Sequence, residues 1–131
     1  MTLQFEIRVQ NKPGDVARIA EVLSKNSVNI RGISTDMGAP QPIIRVVTDD
    51  EASARSALKA AKLEFSERPV EVVSLPDRPG ELAKLARSLS KAGLNIESMY
   101  ILGNTGSSVE EIAVAVDNIE RAREVFMRIR A

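Results

Sequence analysis

Two hexapeptides 66 positions apart carry the residues best suited to recognition chemistry, Asn11-Lys12-Pro13-Gly14-Asp15-Val16 and Asp77-Arg78-Pro79-Gly80-Glu81-Leu82. In each, a proline and a glycine precede apolar residues at 3.6-residue spacing, so each opens a helix. A helix opening presents unpaired backbone N–H groups and the positive end of the dipole, and the two together receive an anionic group. Gly14 and Gly80, lacking a Cβ, let a ligand approach that backbone. Asp77 accepts from a cationic group with charge assistance, and Asn11 does so more weakly. Asn29-Ile30 and Asn95-Ile96, again 66 apart, add amides that both donate and accept. Against this stand Asp15 and Glu81, whose own charge in the first helical turn opposes an incoming anion. Asn11 and Asp77 equally suit helix caps, and Asn29 and Asn95 equally suit the turn between a helix and a strand. The copies differ, Asn11 matching Asp77 and Ser34 matching Tyr100, and the second is favoured as a binder.

Bond-making chemistry finds little support. With no cysteine and no histidine, disulfides, thiolate catalysis, histidine triads and most transition-metal sites are excluded. Glu110 and Glu111 fall on opposite faces of a strand, and Asp49-Asp50 belong to a helix start, so neither forms an acid/base pair. Ser24-Lys25 and Ser90-Lys91 are helix neighbours that do not face each other. Gly103-Asn104-Thr105-Gly106-Ser107-Ser108 has phosphate-loop composition without the Lys-Ser/Thr pair, and reads as a hairpin. The expectation is a non-enzyme with no catalytic residues, no metal and no cofactor.

The 131 residues carry 18 basic and 18 acidic groups, and 44% are hydrophobic, which suits a folded core. Charge balance removes a nucleic-acid footprint, and three phenylalanines and one tyrosine are too few to stack single-stranded bases. The longest apolar run, Ile112 to Val116, is far short of the ~20 residues that span a membrane. With Met1 leading straight into a polar/apolar alternation, neither signal peptide nor anchor is expected, and the expected location is cytoplasmic. The arginine-rich last helix (Arg121, Arg123, Arg128, Arg130) is tempered by Glu120 and Glu124 and reads as a solvated face.

The elements that must position these residues are duplicated. A shift of 66 gives nine identities between Pro13 and Ser34, and a shift of 68 aligns Ile44–Asp49 with Ile112–Asp117. Two copies suit a tandem of small units rather than a solenoid. Leu3, Phe5, Ile7 and Val9 alternate with polar residues as a first strand. Val16, Ile19, Ala20 and Leu23, and in the second copy Leu82, Leu85, Ala86 and Leu89, form helical stripes. Gly93, and Asn26-Ser27 in the first copy, stop those helices. Strands follow near Val28–Thr35 and Ile43–Thr48, then helices capped from Asp49-Asp50 and Asp117-Asn118. Their stripes are Ala54, Ala57, Leu58, Ala61 and Ala122, Val125, Phe126, Ile129. A last strand, Lys62–Glu67, closes the first unit, and only Arg68-Pro69 separate it from the next, Val70–Leu75. The expected units are 1–68 and 69–131, with the second one strand short. The bare edge this would leave at Val70–Leu75 or a neighbouring strand predicts a homodimer.

This order of elements, with Pro-Gly opening each first helix and Asn-Ile opening the next strand, resembles the ACT family. Leu75-Pro76-Asp77-Arg78-Pro79-Gly80-Glu81-Leu82-Ala83 followed by Gly93-Leu94-Asn95-Ile96-Glu97 is similar to the second half of free-standing tandem ACT proteins, described as amino-acid-binding. The resemblance implies an α+β fold of two ferredoxin-like βαββαβ units, helices on one face of antiparallel sheets, and a regulatory role. It also implies that a small effector binds where two units meet. By motif match its contacts are Asn11, Gly14, Asp15, Val16, Asn29 and Ile30, and Asp77, Gly80, Glu81, Leu82, Asn95 and Ile96. The expected function is an amino-acid sensor, acting as a separate regulatory subunit of a metabolic enzyme or as a carrier. The alternative is an assembly module with empty pockets.

Overall fold

The computed structural model describes all residues except Ala39, Asn104, Thr105, Ser107 and Ala131, together with the side chain of Arg130. In chain order the elements are β1 (Thr2–Arg8), α1 (Asp15–Lys25), β2 (Ile30–Asp36), β3 (Ile43–Thr48), α2 (Glu51–Ala60), β4 (Phe65–Pro76), α3 (Glu81–Lys91), β5 (Ile96–Ile101), β6 (Val109–Val116) and α4 (Ile119–Arg130). Leu3–Arg68 form one compact unit, here the N-terminal unit. Pro69–Ala131, with Met1–Thr2, form the other, the C-terminal unit.

In the N-terminal unit the strand order is β2-β3-β1-β4. β1 and β3 pair antiparallel, with Phe5 opposite Val46 and Ile7 opposite Ile44. Because side chains alternate across a strand, these four share one face. Ile19 and Leu23 of α1 and Ala54 and Leu58 of α2 pack onto that same face, in a core completed by Val28. Full burial of each large aliphatic there is worth about 1.5–3 kcal/mol. Phe65 meets Phe5 edge-on, ring centroids 5.8 Å apart.

The C-terminal unit repeats the plan in the order β4-β6-β5. Val73 pairs with Ile112, and Leu85, Leu89, Ala122, Val125 and Phe126 of α3 and α4 pack with them. α1 and α3 end alike, since Ser27 and Gly93 take left-handed backbone (φ 57° and 75°). Beyond them the N–H of Val28 reaches Leu23 O and that of Leu94 reaches Leu89 O, both at 3.0 Å.

Two expectations need correction. The strands at Lys62–Glu67 and Val70–Leu75 are one strand, β4, flanked by β1 in the N-terminal unit and by β6 in the C-terminal unit. Pro69 does not break it, because proline's fixed φ suits extended chain and the residue before a proline is driven extended too. Val70–Leu75 is therefore not a separate strand beginning after a linker. Val16 and Leu82 are not core: they are 43% and 45% exposed, as is Ile129 at 41%. Side chains in a first turn lean toward the helix start, which carries Val16 and Leu82 off the packed face. The expected Gly103–Ser107 hairpin rests partly on residues outside those described.

Candidate functional site

Each helix opening is built on a glycine. Gly14 (φ 94°) and Gly80 (φ 90°) are the N-caps of α1 and α3 in left-handed conformation, without a side-chain cap. A Cβ on either would meet nothing within 4 Å, so backbone conformation rather than space calls for glycine. The first helical bonds run from Arg18 N–H to Gly14 O (2.9 Å) and from Lys84 N–H to Gly80 O (3.1 Å). Among the described residues nothing accepts the N–H groups of Val16 and Ala17, or of Leu82 and Ala83. Both openings thus keep the donors that an anionic ligand group requires.

Asn11 and Asp77 do not cap these helices. They lie four residues before the first helical residue, out of reach of the first-turn N–H groups. Asn11 takes φ 57°, and the Asp77 N–H donates to Ser108 O at 2.8 Å. Both side chains are exposed. The first-turn acids differ in their surroundings. Asp15 Oδ2 accepts the Lys12 N–H at 2.9 Å. Glu81 is 8% exposed and pairs with Arg78 at 3.3 Å and Lys84 at 3.5 Å.

The asparagines are held by a duplicated device that the sequence reading missed. Asn29 N–H donates to Asp49 Oδ1 at 2.9 Å, and Asp49 N–H returns to Asn29 O at 3.1 Å. Asn95 and Asp117 repeat this at 3.1 and 3.2 Å. Of each pair expected to cap a helix, only the second member does so, Asp50 accepting from Ser53 N–H (3.0 Å) and Asn118 from Arg121 N–H (3.1 Å). The Ser53 hydroxyl, donating to Asp50 Oδ2 at 2.7 Å, and after it the Ser53 N–H, hold the Asp50 carboxyl below its ordinary range. Immediately after Ile30 and Ile96 the strand register slips by one residue, at Arg31 and Glu97. Such bulges re-aim neighbouring side chains. With their backbones closed, Asn29 and Asn95 present exposed amides for which no partner appears among the described residues. The usable signal was the recurrence of Asp49 at Asp117, 20 and 22 residues after Asn29 and Asn95 of the paired Asn-Ile segments.

Within one unit the two halves of the expected site are not together. Asn29 and Ile30 line an open groove with Ala20, Ser24, Ser27 and Val28. Asp15 lines a different cleft, with Lys12, Arg18 and Lys62. The helix between them has 11 residues, which at 1.5 Å each puts about 16 Å between its ends. An amino acid, whose charged groups lie a few ångströms apart, cannot touch both ends of one helix. Among the described residues no group of three or more Asp or Glu is placed to hold a metal, and no helix is long and apolar enough to cross a membrane.

Comparison with known proteins places this geometry. A Corynebacterium efficiens aspartokinase is 33% identical over 96 residues, 73% of this chain. The chain spans only 22% of that relative's length. Protein BT0572 from Bacteroides thetaiotaomicron superposes with a TM-score of 0.88 at 30% identity, over 99% of this chain and 90% of that one. The ligand-free regulatory subunit of aspartate kinase from Thermus thermophilus shares the fold, with a TM-score of 0.71 at 21% identity over 98% of this chain and 91% of its own. The ACT domain pair family matches residues 1–130. The duplicated openings, the paired Asn-Ile segments and this match agree, and the chain belongs to the ACT domain family as an ACT domain pair.

Proposed function

We propose that this ACT pair is an allosteric amino-acid sensor whose ligand sits where two ACT units meet, one giving its helix opening and the other its asparagine. The observation that carries this reading is the pair of exposed amides of Asn29 and Asn95, without a partner among the described residues, each at the far end of its own helix from Gly14 or Gly80. The free N–H groups of Leu82 and Ala83 take the ligand carboxylate, Asp77 accepts from its ammonium, and an asparagine of a second unit completes the shell. The opening of α3 is favoured over that of α1 because Arg78 and Lys84 offset the charge of Glu81, which would otherwise repel a carboxylate. Likeness to an aspartokinase and to the fold of an aspartate kinase regulatory subunit supports an amino-acid metabolic enzyme as the partner. Homodimerisation proceeds through β2 or β5, each paired on one side only within its unit and bearing Ile33 or Ile101 exposed.

The test is thermal unfolding with each common amino acid in turn. A ligand at 100 times its Kd adds about 2.7 kcal/mol, a shift of more than about 5 °C. Asp77→Ala, and the double variant Asn29→Ala with Asn95→Ala, should each abolish the shift while leaving the unliganded midpoint in place. No shift with any amino acid leaves the chain an assembly module, and a monomer in sedimentation at micromolar concentration removes the dimer.

A further inference from the structure

The cleft beside the opening of α1 carries an excess of positive charge. It encloses about 160 Å³ and is lined by Arg8, Lys12, Arg18 and Lys62, with Asp15 and Glu64 as the acids. Four cations against two carboxylates leave an excess of two positive charges, in a chain whose net charge is zero. The carboxylates are already engaged. Asp15 Oδ2 accepts the Lys12 backbone N–H, and Glu64, its side chain 73% exposed, faces Arg8 loosely at 3.7 Å. Arg18 is braced by its bond to the Ala61 carbonyl at 3.2 Å, which aims a guanidinium rather than leaving it to wander. Among the described residues no carboxylate lies within ion-pair distance of the Lys12 or Lys62 ammonium. Concave walls focus such a field, and the positive end of α1 adds to it.

Lys62 sharpens the point. It occupies the left-handed position after α2 (φ 57°), with Leu63 N–H closing on Leu58 O at 3.1 Å. Glycine would fit there without strain, so the lysine holds its place at a conformational cost. In the C-terminal unit, the repeat puts Ser74, Arg78 and Lys84 where Arg8, Lys12 and Arg18 stand, and the latter two pair with Glu81 instead.

The geometry points to a small-dianion site in this cleft, where Arg8, Lys12, Arg18 and Lys62 converge on a ligand bearing two negative oxygens, a phosphate group or a dicarboxylate. It is separate from the amino-acid site proposed above, and neither depends on the other. The full chain is titrated calorimetrically at low ionic strength with inorganic phosphate and with succinate, against sodium chloride of matched ionic strength. Saturable one-site binding of phosphate alone assigns phosphate chemistry, and of succinate alone dicarboxylate chemistry; binding of both fits a site that reads charge. Lys12→Gln and Lys62→Gly should each weaken binding by about fivefold or more, while Lys84→Gln leaves it unchanged. Lys62→Gly should do so with an unchanged or higher Tm, which a purely structural lysine would not show. Absence of saturation by either anion, or equal weakening by Lys84→Gln, overturns the site.

Discussion

At the opening of α3, Glu81 is buried and draws Arg78 and Lys84 onto itself. At the opening of α1, Asp15 is one methylene shorter and takes a backbone N–H instead, so Lys12 and Arg18 turn to a cleft shared with Arg8 and Lys62. The two cap glycines share one backbone conformation, Gly14 at φ 94°, ψ −6° and Gly80 at φ 90°, ψ −14°. One duplicated scaffold therefore carries two electrostatic outcomes, and the side chain of the first helical residue separates them. The sealed opening suits a zwitterion, whose carboxylate meets N–H groups without a bare acid beside them. The unsealed one concentrates positive charge.

The comparison assumes that both openings rest on equivalent cores, and that is where the largest effects lie. Ile19 and Leu85 hold matching positions on α1 and α3, each 1% exposed. Truncating either to alanine should cost about 2–5 kcal/mol, read from urea midpoints. If one substitution proves nearly neutral, the two helices are not equivalent supports.

Next in size are the glycines. Gly14→Ala and Gly80→Ala place a Cβ in open space but force a left-handed alanine, at about 1–2 kcal/mol each. Near-equal losses in chemical denaturation would confirm that the backbone is what the openings share. A much larger loss at one would show a contact the other lacks.

Smaller again, and aimed at the difference itself, is charge removal at the first helical residue. Glu81→Gln strands two cations around a buried amide and should cost about 1 kcal/mol, since both partners are largely exposed. Asp15→Asn, whose bond goes to a backbone N–H, should cost less than that. Thermal midpoints in low and high salt check the contrast: the Glu81 effect shrinks with salt. The reverse ranking would break the distinction between a sealed and an open site.

Much of this was legible in the residues, for reasons that differ by element. The Pro-Gly pairs mark both openings because few residues accept that backbone, and the strand alternation of Leu3 to Val9 and the stripe Ile19–Leu23 follow from burial on one face. Other features were hidden. Arg68-Pro69 looks like a break but runs through β4, since proline's φ satisfies both readings. Val16 and Leu82 obey the helical period yet stay exposed, because periodicity reports a face and not where the packed surface stops. Asp49 and Asp117 looked like caps, and their bonds to Asn29 and Asn95 are long-range pairings that no local rule yields. The charge of the α1 cleft needed residues from β1, α1 and the segment after α2 to be brought together.

The smallest effect extends the comparison from the openings to β4, which carries one acid for each unit's second helix. Arg55 donates to Glu67 through Nε at 2.9 Å, and Arg123, its match at a shift of 68, donates to Glu71 at 2.9 Å. The hydrogen bond from Arg55 holds the Glu67 carboxyl below the usual glutamate value and raises the guanidinium further above its own. A carboxyl whose value is lowered by folding stabilises the native state above its unfolded value, near 4.3, and that contribution fades as pH falls through the lowered value. The stability gap between wild type and Glu67→Gln should therefore be level above about pH 5.5 and narrow with acidification below about pH 4.5. Urea midpoints across that range read it directly. Arg55 stays charged throughout, so any narrowing belongs to the carboxyl, and a gap that widens with acid would show that the Arg55 bond does not favour the ionised form.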